Sequence, residues 1–295
     1  MDTYGMDSQD KDAPGGSEQW RELVDRYIAS KLVEPDNPNR KRWVYQSPEY
    51  EQHHTDATIR LLQMVLGDLS GKRILDFGCG VGLDCINLGR AGAEVIGVDA
   101  SDVPIQIARL RAREAGLGVQ FACVMDAAWH EREYDGLICV DVVEHVKDPV
   151  EALKPAIDVL KAGGAFVLSA PNRWAAANVL ADPHWKLAGV TLMPHHLASW
   201  YVTRVRRVIR EYDVCDLIGP GKLTQIARLL GCSPIYDTYR HAVEKLSAPG
   251  LVRRGALRWM AARLMGHEAL QRLGASTYAL LASRSWWLLV QKGPV

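Results

Sequence analysis

The stretch that most constrains this chain is Arg73–Asp99, RILDFGCGVGLDCINLGRAGAEVIGVD. Apolar Ile74 and Leu75 lead into Asp76, Phe77 and three glycines, Gly78, Gly80 and Gly82. An amphipathic run, Leu83–Arg90, follows, and a second apolar run, Val95–Val98, ends at Asp99. That order predicts strand, glycine turn, helix and strand, half of a nucleotide-type βαβ unit. Glycine suits the turn because a Cβ there would block either the sharp bend or a ligand's approach to the backbone. Asp99 follows at close to the ~20-residue spacing at which an acid reaches a ribose. The ligand expected is therefore adenosine-like.

The dinucleotide fingerprint G-x-G-x-x-G is not met, since Leu83 stands where its third glycine belongs. A pyrophosphate also prefers a helix N-terminus free of anions, and Asp76 and Asp84 flank this one. A cationic, phosphate-free ligand fits better, and S-adenosylmethionine carries an ammonium and a sulfonium. Asp76-Phe77-Gly78-Cys79-Gly80-Val81-Gly82 resembles the first motif of class I S-adenosylmethionine-dependent methyltransferases, an acid followed by x-G-x-G-x-G. The resemblance implies that Asp76 organises the methionine end, while Gly78, Cys79, Gly80 and Gly82 let the backbone approach the cofactor. It implies that Asp99 accepts both ribose hydroxyls and that Ala100 and Ser101 line the adenine pocket. Asp126 would take the adenine amino group, with Met125 and Ala127 flanking the ring. The plain alternatives are a helix cap for Asp99 and an ordinary turn aspartate for Asp126.

Strand and helix patterns alternate beyond Asp99: helix Pro104–Ala115, strand Val119–Val124, strand Tyr134–Val140, helix Pro149–Leu160 kinked at Pro155, a Gly163-Gly164 turn and strand Ala165–Ala170. Later come helix Lys222–Leu230, capped by Gly231, and strands Pro234–Tyr239 and Ser285–Gln291. This rhythm predicts an α/β, Rossmann-like, doubly wound parallel sheet. The resemblance adds seven strands, with the last inserted antiparallel. Residues 1–16 read as a disordered tail and 17–70 as an N-terminal helical lid, with helices at Glu18–Leu32 and about Asp56–Leu66. Residues 71–292 read as the methyltransferase domain, interrupted at about 173–220 and 241–275.

The fourth strand runs into Val140-Asp141-Val142-Val143-Glu144-His145-Val146, where α/β ligand crevices open. Glu144-His145-Val146 with Asp148-Pro149 resembles the ubiquinone-biosynthesis type of small-molecule methyltransferase. Asp141 is assigned to the cofactor side, and Glu144 and His145 to catalysis. A histidine there can take a hydroxyl proton as the sulfonium methyl departs; the alternative is an imidazole that only shapes the pocket or caps the next helix. Tyr50, His54, Arg173, Trp174 and His184 are the substrate-side candidates. No metal is expected, because adjacent pairs such as His53-His54 and His195-His196 lack the i, i+4 spacing of helical zinc sites.

Zero formal net charge gives no reason to expect nucleic acid as a partner. Cys79, Cys85, Cys123, Cys139, Cys215 and Cys232 form no C-x-x-C pair and read as free thiols. The polar N-terminus lacks the apolar core of a signal peptide, and no apolar run matches a membrane span, so a cytoplasmic protein is expected. Basic helices around Arg204, Arg206, Arg207 and Arg210, and around Arg253, Arg254, Arg258 and Arg263, are either solvated faces or contacts for an anionic or lipid-like substrate or a membrane surface. The function expected is methyl transfer from S-adenosylmethionine to a small molecule, with oxygen first and nitrogen or carbon as alternatives. A non-catalytic adenosylmethionine-binding protein and an NAD(P)-linked oxidoreductase are the competing classes.

Overall fold

The protein was described from a computed structural model covering residues 16–33, 48–238, 277, 280, 281 and 283–294. Residues 1–15 of the tail expected at 1–16, the Arg253–Arg263 helix and the interruption at 241–275 lie outside the described residues, while Gly16 already opens a helix.

Seven strands form one sheet in the order β3-β2-β1-β4-β5-β7-β6. They are β1 (Arg73–Phe77), β2 (Glu94–Asp99), β3 (Gln120–Cys123), β4 (Tyr134–Cys139), β5 (Leu160–Pro171), β6 (Cys232–Asp237) and β7 (Ser285–Lys292). The first five run parallel. β7 enters antiparallel between β5 and β6.

Alternation within each strand feeds two cores. Leu75, Leu137, Phe166 and Leu288 face α5 (Pro149–Asp158) and α8 (Pro220–Leu229). Ile74, Ile138, Val167 and Leu289 face the other way, onto α2 (Pro48–Leu66), α3 (Leu83–Arg90) and α4 (Asp102–Glu114). Strands covered on both faces carry continuous apolar runs rather than alternating ones. That is why Val95–Val98 and Ala165–Ala170 are legible as strands.

A third core ties α1 (Gly16–Lys31) to α4 and to the segment between β5 and α8, which holds α6 (Ala176–Leu180) and α7 (His195–Trp200). Val24, Ile107, Trp185, Val190, Ala198 and Val202 meet there, with Val81 of the glycine turn packed against them. Leu32 bridges Ile209, and Arg210 donates through Nε to the Leu32 carbonyl at 3.1 Å.

Several expectations change. The 17–70 lid divides: α1 does cover that insertion, but α2 places Leu61 and Leu62 in the sheet core. α2 also starts at Pro48 rather than near Asp56, with proline's fixed φ suited to a first turn. Strand β5 begins at Leu160 and carries Gly163-Gly164 within it. The basic helix over Arg204–Arg210 is absent. The chain leaves α7 through a π turn at Tyr201–Val205, and Arg207 takes φ +51°, a left-handed value that ends helical propagation.

Candidate active site

Parallel sheets bind ligands beyond the carboxyl ends of their strands, where the strand order reverses. Here that point lies between β1 and β4. Two loops face one another across it: the glycine turn after β1 and Asp141–His145 after β4.

Gly78, Gly80 and Gly82 all have positive φ, but their surroundings differ. A Cβ on Gly78 would stand 2.3 Å from Val142 Cγ2, and one on Gly82 would stand 2.8 Å from the Ala108 Cβ. Both glycines are packing requirements. At Gly80 a Cβ would meet nothing within 4 Å, so this is the face left open to a ligand. Asp99 holds the turn in place, accepting from Gly80 N at 2.9 Å and from Ser101 N at 2.8 Å. It does not cap α4, whose N-cap is Ser101.

The field around the turn is strongly anionic. Asp76 is buried at 3 % exposure and accepts from the Cys85 thiol at 3.0 Å. Burial, reinforced by Asp84 and Asp99, lifts its carboxyl well above the usual carboxylate range. A cation bound here relieves that cost, whereas a phosphate increases it. Cys79 lies buried in the turn. On the adenine side, Ala100 and Ser101 are exposed, as is Met125 at 87 %. One Asp126 oxygen closes a turn by accepting from Cys123 N at 2.9 Å. Asp126 is therefore a turn aspartate in its local role, with its second oxygen available. Ala127 opens the short 3-10 helix that follows.

Across the crevice, Asp141 is held at φ +53°. The Ser169 hydroxyl donates to its Oδ1 at 2.9 Å. Strained backbone at a strand end is frequent in ligand sites. Glu144 is completely buried, and among the described residues neither carboxylate oxygen meets a partner at hydrogen-bond distance. Its Oε1 lies 3.9 Å from His145 Nε2 and 3.8 Å from His184 Nε2. The two imidazoles meet edge to face with centroids 5.2 Å apart. His145 does not cap α5, because Asp148 does so through Val150 N and Glu151 N.

Burial raises the Glu144 carboxyl above its ordinary range, and Asp141 adds to the rise. Burial alone would lower the His184 pKa, but Glu144, with Asp182 and Asp213 behind it, more than offsets this and raises it. His184 thus pulls the Glu144 carboxyl down against its burial, while Glu144 pulls the His184 imidazole up.

His184 reaches Glu144 because Asp182 shapes its loop, accepting from His184 N, Trp185 N and Leu187 N at 2.8–3.0 Å. From the far end of the insertion, the Asp213 carbonyl lies 3.0 Å from His145 Nδ1. Cys215 N and Asp216 N donate to the Glu144 carbonyl at 2.7 and 3.1 Å. The Asp182-Pro183 turn signal was available in the sequence; Asp213 acts through its backbone and gave none. Tyr212 is a further neighbour, its hydroxyl pushed up to about 12 by burial, Asp182 and Asp213. Tyr27 of α1 is raised by burial and by Asp99 and Asp213, which sets it between the two halves.

Arg173 lies over Trp174 at 5.4 Å and bears electrostatically on Tyr212. His184 is thus brought into the cluster, and Arg173 to its edge. Tyr50 and His54 lie on α2, their side chains outside the described residues. Exposed His195 and His196 stand apart, His195 against Tyr212. A cleft of about 250 Å³ lined by Arg73, Arg132 and Tyr134 opens at the amino ends of the strands, away from this chemistry.

This sheet order, with an acid-flanked glycine turn and an acid at the tip of β2, defines a class I S-adenosylmethionine-dependent methyltransferase. The comparisons agree. A family model described as a methyltransferase domain matches residues 50–235, and the chain belongs to that family. It is 32% identical over 199 residues to a ubiquinone biosynthesis O-methyltransferase of Bordetella pertussis, covering 65% of this chain and 76% of the relative. A ubiquinone biosynthesis O-methyltransferase of Salmonella arizonae is 35% identical over 150 residues, 48% of this chain and 62% of the relative. Among solved structures, magnesium protoporphyrin IX methyltransferase from Synechocystis with bound SAH aligns at TM-score 0.51 and 19% identity, over 94% of this chain and 95% of that one. A methyltransferase from Clostridium acetobutylicum aligns at TM-score 0.51 and 14% identity, over 86% and 96%. The methyl donor is S-adenosylmethionine, and the fold is the one these structures share.

Proposed function

We propose that the chain methylates a hydroxyl oxygen of a small, largely apolar molecule, with His145 as the proton acceptor. The observation that carries this reading is the Glu144–His145–His184 cluster beside the cofactor crevice. A carbonyl only accepts, so Asp213 fixes the proton of neutral His145 on Nδ1 and leaves the Nε2 lone pair for an incoming hydroxyl. Glu144, paired with His184, stabilises the imidazolium as it forms. The rest of the rate comes from aligning oxygen, methyl and sulfur. The oxygen acceptor is supported by the relatives, which are named O-methyltransferases.

The test is incubation with methyl-labelled S-adenosylmethionine and matched phenol, amine and activated-carbon acceptors. Label on the phenol alone is the expected result. Label on the amine or carbon acceptor, with the phenol untouched, overturns the oxygen reading.

A second reading rests on the same cluster. Glu144, His145 and His184 each offer one ligand atom, all within 4.8 Å of one another, and carboxylate with imidazole is a donor set suited to zinc or other divalent ions. Such an ion would hold the acceptor oxygen as its anion. Activity that survives chelation favours the proton-acceptor reading; activity lost and restored by a divalent ion favours this one.

A further inference from the structure

We propose that Cys85 is a positioning residue for the cofactor, its thiol donating to Asp76 and holding that carboxylate in place for the ligand's ammonium. The proposal rests on Asp76 serving the methionine end of the cofactor. Cys85 lies outside the glycine motif, on the first turn of α3, and no spacing in the sequence marks it. The fold carries it, fully buried, back over the first two strands, where its Sγ lies 3.0 Å from Asp76 Oδ2. Gly97 of β2, the register partner of Asp76 on β1, makes the room. A Cβ there would stand 2.7 Å from Cys85 Sγ and 2.9 Å from Cys79 Sγ. Glycine inside a strand marks a close approach, and here the approaching group is a pair of thiols.

A thiol has one proton, and Cys85 has two acceptors within reach. Cys79 is its hydrogen-bond partner, but a carboxylate accepts far better than a sulfur. Cys85 therefore donates to Asp76, and Cys79 donates into the Cys85 sulfur. Burial, with Cys79 and Asp76 adding to it, lifts the Cys85 thiol well above its ordinary range, which keeps it a donor and makes it a poor nucleophile. The other groups around the carboxyl act the opposite way or elsewhere. Asp84 of α3 and Asp99 of β2 both push Asp76 up, whereas the bond from Cys85 pulls it down. Cys139 of β4 is itself pushed up by burial and Glu144, with Asp76 and Asp141 behind. Arg111 of α4 reaches the same turn but donates to the Val81 carbonyl at 3.0 Å.

The consequence is a linkage between one thiol and cofactor affinity. Without the thiol, Asp76 keeps its proton to higher pH, and a cationic ligand must displace that proton on binding. Affinity is then lost near neutral pH and regained as pH rises, because above the Asp76 pKa both forms bind with the carboxylate already ionised.

The test is calorimetric titration of the full chain with S-adenosylhomocysteine, in buffers of different ionisation enthalpy, for wild type, Cys85→Ala and Cys85→Ser. Alanine and serine leave nearly the same space, so the two variants differ in the donor alone. Cys85→Ala should bind about five- to tenfold more weakly near neutral pH, with Cys85→Ser within about twofold of wild type. The alanine variant should also release more protons on binding, and its deficit should close as pH is raised. Equal losses in the two variants, or an alanine deficit that does not change with pH, would mean simple packing and overturns the proposal. If Cys85→Ala does not fold, Cys85→Ser decides alone. A hydroxyl is the stronger donor, so proton release must fall below the wild-type value, and an unchanged or larger release overturns the proposal. Asp76→Asn separates the two layers of the argument. Undiminished binding by Asp76→Asn removes Asp76 from the ammonium and the proposal with it. Weak binding by Asp76→Asn beside wild-type behaviour of Cys85→Ala removes the thiol's role alone. On the Asp76→Asn background, Cys85→Ala should add no pH-dependent loss.

Discussion

The two sides of the crevice are built in opposite ways. The cofactor side is continuous chain, Asp76 to Ser101, and it works largely through backbone: glycines at positive φ and amides held by Asp99. The side we propose for the acceptor is assembled from distant points: Glu144 and His145 after β4, His184 and Asp182 at one end of the insertion, Asp213 at the other. It is made of side chains gathered around the buried Glu144. A site made of backbone is rigid and general, since every adenosine derivative presents the same ribose and adenine. A site made of side chains on an insertion can be rebuilt for a new acceptor without disturbing the sheet. The charges differ too: Asp76, Asp84 and Asp99 gather around the turn with burial holding the Asp76 carboxyl up, whereas Glu144 has the imidazoles of His145 and His184 beside it.

The contrast is broken most directly by His145→Gln. If the acceptor side alone does the proton chemistry, kcat should fall by about 10²–10⁴-fold, while calorimetric affinity for S-adenosylhomocysteine stays put. A matching loss of cofactor affinity would show that the two sides are not separable.

Gly78→Ala probes a place where the sides touch. Its Cβ would enter the Val142 side chain in a left-handed backbone, at an expected cost of about 2–3 kcal/mol. Both cofactor affinity and melting temperature should drop. Gly80→Ala, with open space around it, should cost about 1 kcal/mol, from backbone strain alone. Equal losses from the two alanines would mean that Val142 moves aside.

Asp76 sharpens the electrostatic difference. Its pKa is raised in the free protein, and a bound ammonium lowers it again. Cofactor binding should therefore release protons, seen as a calorimetric enthalpy that varies with buffer ionisation. Asp76→Asn should abolish that dependence.

The smallest effect is outside the crevice. Burial alone would raise the Asp135 carboxyl, but Lys161 at 2.6 Å and the Arg73 amide more than offset this and lower it. The stabilisation is present above the ordinary carboxylate pKa and is lost as pH falls through the lowered one. Asp135→Asn should cost about 0.5–1 kcal/mol near neutral pH, after solvent screening, and progressively less in acid. Equal unfolding midpoints at neutral pH would remove the pair from the account.

The βαβ unit and its cofactor class were legible, because the strand, the glycine turn and the acid at the tip of β2 fall within one short run whose glycines and apolar segments each have a local cause. Glu144 and His145 could also be picked out, from their position after β4. What could not be read was their company. Neither the Asp182 loop nor the Asp213 carbonyl has a periodic signal, and a backbone carbonyl is the same in every residue. The basic helix was misjudged because helical spacing in Tyr201–Arg210 says nothing of a π turn or of Arg207 in left-handed backbone.

Local chain chemistry was enough to establish the parallel sheet, the glycine cradle and a preference for a positively charged adenosine ligand, since each depends on neighbours a few residues apart. Long-range packing settled the rest: α2 joined the sheet, α1 closed on the insertion, and His184 came to Glu144. The reason is physical. A buried carboxylate takes its properties from whatever the fold brings within about 4 Å, and no stretch of sequence records that distance.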